Sequence, residues 1–283
     1  MQCTKAIIPV AGYGTRRLPI AKSIEKCMLP ICNRPVIDYE VEACVLGGIT
    51  DIYFVVSPEH SQLKNYYTTN VELEEYLTKR GKLQELQAIR GIPSKANFHY
   101  IVQDPRGAYG TAVPVWIARD AVQNEEHFAV VMGDDFMFYG NKPHSWIQDV
   151  TTSLANANAE SAVLGVEMNP ERILTYAALE CRTENNQEYL ARILEKPEPG
   201  ASASTVGNVS RYILNGQIFP YIQSVLQKPN EKGEHYLTDA INNYVAAGRN
   251  MLLVRTLGQH LDAGNLAGWV EANNVVYSAA SRT

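Results

Sequence analysis

The 283-residue chain has no long apolar run, no Cys-x-x-Cys pair and no Walker A glycine–lysine signature. Each absence excludes something. Without about eighteen consecutive apolar residues, nothing in it spans a membrane as a helix. Its first residues, Met1 to Lys5, lead straight into an apolar segment and carry no secretory pattern. The five cysteines (Cys3, Cys27, Cys32, Cys44 and Cys181) are odd in number and unpaired in spacing. That argues against a disulfide framework or a structural zinc site, and for a reducing cytoplasm. They read as small buried hydrophobes, Cys27 alone lying near a basic loop. The six histidines, His99 and His127 among them, show no metal-ligand spacing and read as structural or surface groups. No Ser/His/Asp or Cys/His arrangement stands out. Charge of one sign is scarce too: 25 Lys and Arg against 30 Asp and Glu give a net charge of -5. This argues against a general nucleic-acid binder, which needs many cationic phosphate contacts, and leaves room for one local basic site.

What is present is an ordinary globular composition, 46% hydrophobic and 19% charged, with enough chain to bury a core. Apolar runs predict strands over 5–10, 51–57, 98–102 and 127–132, with helices over 35–46, 59–80 and 111–122 between them. This alternation predicts an α/β fold, an open, mixed but mostly parallel Rossmann-like sheet flanked by helices. After residue 150 the rhythm changes to shorter strands over 159–167, 174–181, 189–194 and 209–214, then helices over 217–227, 236–247 and 263–277. No repeat or linker divides the chain. One domain is expected, in which 1–135 forms one half, 136–262 the other, and 263–283 a C-terminal helix.

The densest signal follows the first strand. Between Ala11 and Arg34 stand five cations (Arg16, Arg17, Lys22, Lys26 and Arg34) and one acid, Glu25, on a stretch opened by Gly12 and Gly14. Glycines let backbone N–H groups approach phosphate oxygens, and Arg and Lys neutralise their charge. The position, beyond the end of a sheet strand, is where α/β proteins bind ligands. A dinucleotide fingerprint is excluded, because Arg17 takes the place of its third glycine. A structural turn carrying scattered surface cations would look the same in isolation.

The longer pattern, Gly12-Tyr-Gly14-Thr-Arg16 followed by Lys26-Cys-Met-Leu-Pro30, resembles the sugar nucleotidyltransferases, and among them the bacterial UTP–glucose-1-phosphate uridylyltransferases. The resemblance covers nearly the whole chain. It continues in Gln103 with Gly107-Ala-Tyr-Gly110-Thr-Ala, in Gly133-Asp134 and in Glu195-Lys196-Pro197. Arg211-Tyr212, the stretch Gly233 to Ile241, and Asp262-Ala-Gly264-Asn265 complete it. It implies a Rossmann-type fold and condensation of UTP with glucose 1-phosphate, by in-line attack on the α-phosphorus with release of pyrophosphate.

The resemblance also assigns roles. Ala11, Gly12, Gly14 and Thr15 would bind the nucleotide, with Gln103 facing the imide edge of the base and Gly110 letting the base lie against backbone. On composition alone, Gln103 is as well explained by a solvent-facing strand end, and Gly110 by a turn. Arg16 would neutralise the departing pyrophosphate, Lys26 the α-phosphate, and Lys196 would hold the sugar phosphate. Glu195 would accept hydrogen bonds from sugar hydroxyls. Asp134 and Asp262 would hold Mg²⁺ beside the triphosphate, although an Asp after a strand also serves as a turn or helix cap. Asp135 is expected to point elsewhere. No nucleic-acid or membrane partner is implied, and the family is commonly dimeric or tetrameric.

Two positions depart from the pattern. Members usually read Tyr-Gly-Val-Val where this chain has Tyr176-Ala177-Ala178-Leu179, and carry glycine where it has Ser210. Both belong, by resemblance, to the wall that receives the sugar, so the identity of the sugar is open. A thymidylyltransferase, a relative using another hexose phosphate, and a non-catalytic nucleotide-sugar regulator are the alternatives. The full charge set of Arg16, Lys26, Asp134, Lys196 and Asp262 argues against the last.

Overall fold

The structure, a computed structural model, describes residues 2–59, 61–230 and 233–281. In chain order its strands are β1 (Cys3–Pro9), β2 (Pro30–Ile31), β3 (Arg34–Pro35), β4 (Asp51–Val56), β5 (Asn97–Val102) and β6 (His127–Val131). They continue with β7 (Asp135–Phe138), β8 (Ser161–Glu167), β9 (Ala177–Glu184), β10 (Gln187–Glu195), β11 (Val206–Leu214), β12 (Met251–Arg255) and β13 (Gln259–Asp262). Nine of them form one sheet in the order β5-β4-β1-β6-β11-β8-β12-β10-β9.

The first half of that sheet is parallel, β1 pairing with β4 and β6, and β4 with β5. Parallel strands are covered on both faces, and so read as continuous apolar runs. Ala6 and Ile8 enter one hydrophobic cluster with Ile37, Val41 and Trp146, while Ile7 between them enters another with Val115, Val130 and Tyr244. The period of two thus feeds two cores from one strand.

The expectation of a mostly parallel sheet holds only for this half. β11 runs antiparallel to both β6 and β8, and β10 antiparallel to both β12 and β9; β8 and β12 alone are parallel beyond β6. The cause is local at β9–β10. Asn185 and Asn186 both have positive φ, 50° and 62°, which is the two-residue hairpin geometry that forces antiparallel pairing.

Several boundaries also differ. The expected helix over 59–80 is two helices, Gln62–Tyr66 and Val71–Lys79, because Asn70 caps the second by accepting from the Leu73 N–H; residue 60 lies outside the described residues. Residues 111–122 break into Ala112–Ile117 and Arg119–Val122. The C-terminal helix is Leu266–Ala280, capped by Asn265, with 282 and 283 outside the described residues. Helices Leu83–Arg90 and Trp146–Ala155 were not anticipated. Neither was a two-stranded ribbon in which β7 pairs with β13, setting Asp135 opposite Asp262. Among the described residues no helix is long and apolar enough to cross a membrane.

Candidate active site

β1, β5 and β6 end on the same edge of the parallel half-sheet, so the segments following them face one another. After β1, Gly12 has nothing within 4 Å of where a Cβ would stand, which leaves its backbone open to the cleft. Gly14 has φ 63°, and a Cβ there would lie 3.2 Å from Lys26 Cβ. The loop therefore needs glycine at residue 14 both for its left-handed turn and for close packing.

The acidic side is built by the ribbon. Asp134 immediately precedes β7 and Asp262 ends β13, and the two are tied by the Ala263 N–H donating to the Asp134 carbonyl at 3.2 Å. Gly264 shows how closely the site converges. A Cβ on it would stand 2.8 Å from Asp134 Oδ2, 2.9 Å from Asp262 Oδ1 and 3.5 Å from an Arg16 guanidinium nitrogen. Residues separated widely in sequence thus meet around one missing side chain. Lys26 Nζ lies 2.7 Å from Asp134 Oδ2. Burial opposes the lysine's charge, but Asp134 outweighs it and lifts the Lys26 pKa above its ordinary value, so the side chain stays cationic.

Asp262 is held from both sides. Its Oδ1 accepts the Gly264 N–H at 2.7 Å, and its Oδ2 accepts from the Tyr176 hydroxyl at 2.7 Å and the Asn265 amide at 3.2 Å. Burial first, and then the Asp262 charge, push the Tyr176 phenol up, so it remains a donor. Asp135, which borders the same cavity as Asp134 and Asp262, is tied into a buried network rather than serving as a cap. Arg211 Nη2 donates to it at 2.8 Å, His260 Nε2 lies 2.8 Å away, and Glu40 accepts from the same guanidinium at 2.8 Å. Burial would raise the Asp135 pKa, but Arg211 and His260 hold it well below the usual carboxylate range. Among the described residues there is no cluster of three or more His, Cys, Asp or Glu around one point. Two converging carboxylates fit an ion that completes its shell with phosphate oxygens and water.

Two lobes open from this centre. One, of about 190 Å³, is lined by Ala11, Gly12, Gln103, Gly110 and Pro114. The other, of about 530 Å³, is lined by Arg16, Ala177, Glu195, Lys196, Ser210 and Asp262. Both are lined by Lys26, Tyr109, Thr111, Met132 and Asp134, so they are halves of one cleft that meet at the Lys26–Asp134 pair. Thr15 instead lines an adjoining pocket of about 420 Å³, together with Lys22 and Gln62, which shares Ala11, Gly12, Tyr13 and Lys26 with the smaller lobe. Gly110 lines the smaller lobe, and packing gives a reason of its own for glycine there: at φ 126° its missing Cβ would collide with the His235 backbone. Lys196 (φ 41°) and Ser210 (φ 53°) hold the left-handed backbone without being glycine. Ser210 sits at a bulge in β11, its N–H donating to Asn208 Oδ1 at 2.9 Å. Tyr176, Tyr109 and Thr111 received no role from the sequence. Only the position of Tyr176 beside Ala177, in a matched stretch, could have drawn attention to it.

The family described as nucleotidyl transferase matches residues 5–278. The chain belongs to that family. Among relatives, a UTP–glucose-1-phosphate uridylyltransferase of Bacillus subtilis strain 168 is 32% identical over 273 residues, covering 94% of this chain and 88% of the relative. Another, from Mycoplasma pneumoniae, is 33% identical over 95% of this chain and 90% of its own. A crystal structure of UDP-glucose pyrophosphorylase complexed with UDP-glucose superposes with a TM-score of 0.84 at 28% identity, over 98% of this chain and 99% of that one. A UTP-bound enzyme from Acinetobacter baumannii gives 0.84 at 28%, over 96% and 93%. In this nucleotidyl transferase the cations, the two carboxylates and the divided cleft therefore occur within a fold shared with proteins solved holding UTP or UDP-glucose.

Proposed function

We propose that the chain condenses UTP with glucose 1-phosphate to give UDP-glucose and pyrophosphate. The observation that carries this reading is the junction. Lys26 and Asp134 line both the lobe containing Gln103 and the lobe containing Glu195 and Lys196, so a base on one side and a sugar on the other would meet at them. The curated relatives named for this activity support the choice of substrates.

Under this reading Gln103 faces the base, and the segment Ala11 to Thr15 follows the nucleotide. Lys196 holds the sugar phosphate, and Glu195 accepts from sugar hydroxyls. A sugar phosphate oxygen, already ionised at neutral pH, attacks the α-phosphorus. The new P–O bond forms as the bond to the bridging oxygen breaks, and its electron pair leaves with pyrophosphate. No proton need be removed. Lys26 stabilises charge at the α-phosphate, and Arg16 stabilises the leaving group. Catalysis is then positioning plus charge neutralisation. Asp134 and Asp262 suit Mg²⁺, which when bound supplies further neutralisation at the phosphates. Residues 1–135 serve the nucleotide and 136–262 the sugar, within one domain. A reducing cytoplasm suits the free thiols, and the assembly is a homo-oligomer, dimer or tetramer, which light scattering would measure.

The test is pyrophosphate release across a panel of triphosphates and sugar 1-phosphates in magnesium. The highest kcat/KM is expected for UTP with glucose 1-phosphate. A preference for dTTP or another hexose phosphate would move the protein to a sister activity, and no release with any pair would overturn the enzyme reading.

A further inference from the structure

We propose that Trp269, on the C-terminal helix, is a positioning residue for the polyphosphate loop, holding Arg17 and the chain just past the loop at Pro30 while leaving the arginine's charge uncancelled. This rests on the reading above that the loop from Gly12 to Lys26 takes the triphosphate.

The loop is made of three single turns, Thr15–Arg17, Ile20–Lys22 and Lys26–Met28, with no strand pairing across them, so little fixes its path from within. Two elements fix it from outside: the helix Gln62–Tyr66, whose Gln62 and Leu63 are hydrogen-bonded to Ser23 and Glu25, and the C-terminal helix. The Arg17 guanidinium carbon lies 5.3 Å from the centroid of the Trp269 ring. The indole N–H of the same residue donates to the Pro30 carbonyl at 2.8 Å, just past the loop's other end. One turn further along the helix, Asn273 Oδ1 accepts the Cys32 N–H at 2.8 Å. At the helix start, the capping residue Asn265 donates to Asp262. One helix thus touches the loop at Arg17, the chain just beyond it at Pro30 and Cys32, and a carboxylate of the site.

The unusual member is Arg17. It is 6% exposed, and its Nε is buried without a hydrogen-bond partner. No carboxylate lies within ion-pair distance of it among the described residues. A salt bridge would hold the side chain equally well but would cancel its charge. An aromatic face holds a cation through the ring's quadrupole and leaves the full charge in place. Next in the chain to Arg16, that charge adds to the attraction felt by an arriving polyanion, and in low-dielectric surroundings it is weakly screened. A loop held in its binding shape beforehand also spends less ordering entropy when the triphosphate binds.

The test compares the wild type with Trp269→Leu, Trp269→Phe, Arg17→Leu and the Arg17→Leu/Trp269→Leu double variant. KM is measured separately for UTP and glucose 1-phosphate, and tryptic cleavage after Arg16, Arg17 and Lys22 is followed with and without UTP. Trp269→Leu should raise the UTP KM about tenfold, the scale of one lost cation–ring contact, with little change for the sugar phosphate, and should speed cleavage in the loop. Trp269→Phe, which keeps a ring and the apolar volume, should fall between it and the wild type. The double variant should be no worse than the more affected single one. A lowered Tm with unchanged UTP KM and unchanged loop cleavage would make Trp269 merely structural and overturn the proposal. Arg16→Ala is the control for the underlying reading: if it too leaves both UTP KM and kcat unaltered, the assignment of the loop to the triphosphate fails instead.

Discussion

The two lobes of the cleft solve the same backbone problem differently. On the nucleotide side, left-handed geometry falls on glycine, at Gly14 and Gly110. On the sugar side it falls on Lys196 and Ser210, which carry side chains and therefore strain of roughly 1–2 kcal/mol each. Strain persists where the surroundings over-determine it, and such positions cluster at functional sites. Near the smaller lobe the glycines make room for neighbouring protein, Lys26 at Gly14 and the His235 backbone at Gly110, whereas the larger lobe is lined by strained residues that keep their side chains. Under the proposed function, the side chains retained in the larger lobe suit discrimination between sugars.

The largest expected effect lies where the lobes meet the ribbon. Asp134→Asn and Asp262→Asn should each remove most turnover, at least about a hundredfold, and leave the thermal transition near that of the wild type. Either variant with near-native turnover in magnesium would free that residue from the metal assignment.

Arg16→Ala comes next. Loss of one preorganised charge contact should lower kcat about a hundredfold. A rise confined to KM would reduce Arg16 to a binding role and make the nucleotide lobe simpler than argued.

The sugar wall should respond more gently. Ala177→Gly and Ser210→Gly each remove one small side chain from the larger lobe, and pocket changes of that size shift discrimination by about 1–3 kcal/mol. The ranking of kcat/KM for glucose, galactose and N-acetylglucosamine 1-phosphates should therefore change, while the preferred triphosphate does not. Ser210→Gly should also leave the thermal transition within a few degrees, since strain released at φ 53° offsets the added freedom of glycine. An unaltered sugar ranking in both variants would place the wall's selectivity elsewhere and remove the contrast between the lobes.

The same contrast governs how much was legible in the sequence. Apolar runs at β1, β4 and β6 exposed the parallel half, because strands buried on both faces leave unbroken hydrophobic signals, and β5, half-buried at the sheet's edge, still carries the run Tyr100-Ile101-Val102. The loop after β1 announced itself by concentrating cations in an acidic chain. The helix Trp146–Ala155 was within reach, since Trp146, Ile147, Val150 and Leu154 are its buried face at helical spacing. The β7–β13 ribbon was not. Its strands are four residues each, and their pairing joins segments more than a hundred residues apart, which no local pattern encodes. That ribbon carries Asp262 to Asp134, so the site's residue types could be named from sequence while their convergence on Gly264 could not. The hydrogen bond from Tyr176 to Asp262 and the contact of Arg17 with Trp269 are hidden for the same reason.

The central claim is that reaction occurs at the junction marked by Lys26 and Asp134. Its most direct test is Lys26→Ala, assayed for pyrophosphate release from UTP and glucose 1-phosphate and, separately, for binding of UTP and UDP-glucose by calorimetry. The account predicts that kcat falls at least about a hundredfold while both affinities stay within about tenfold, a loss of transition-state rather than ground-state contact. A kcat within tenfold of the wild type, at saturating substrates, would contradict it.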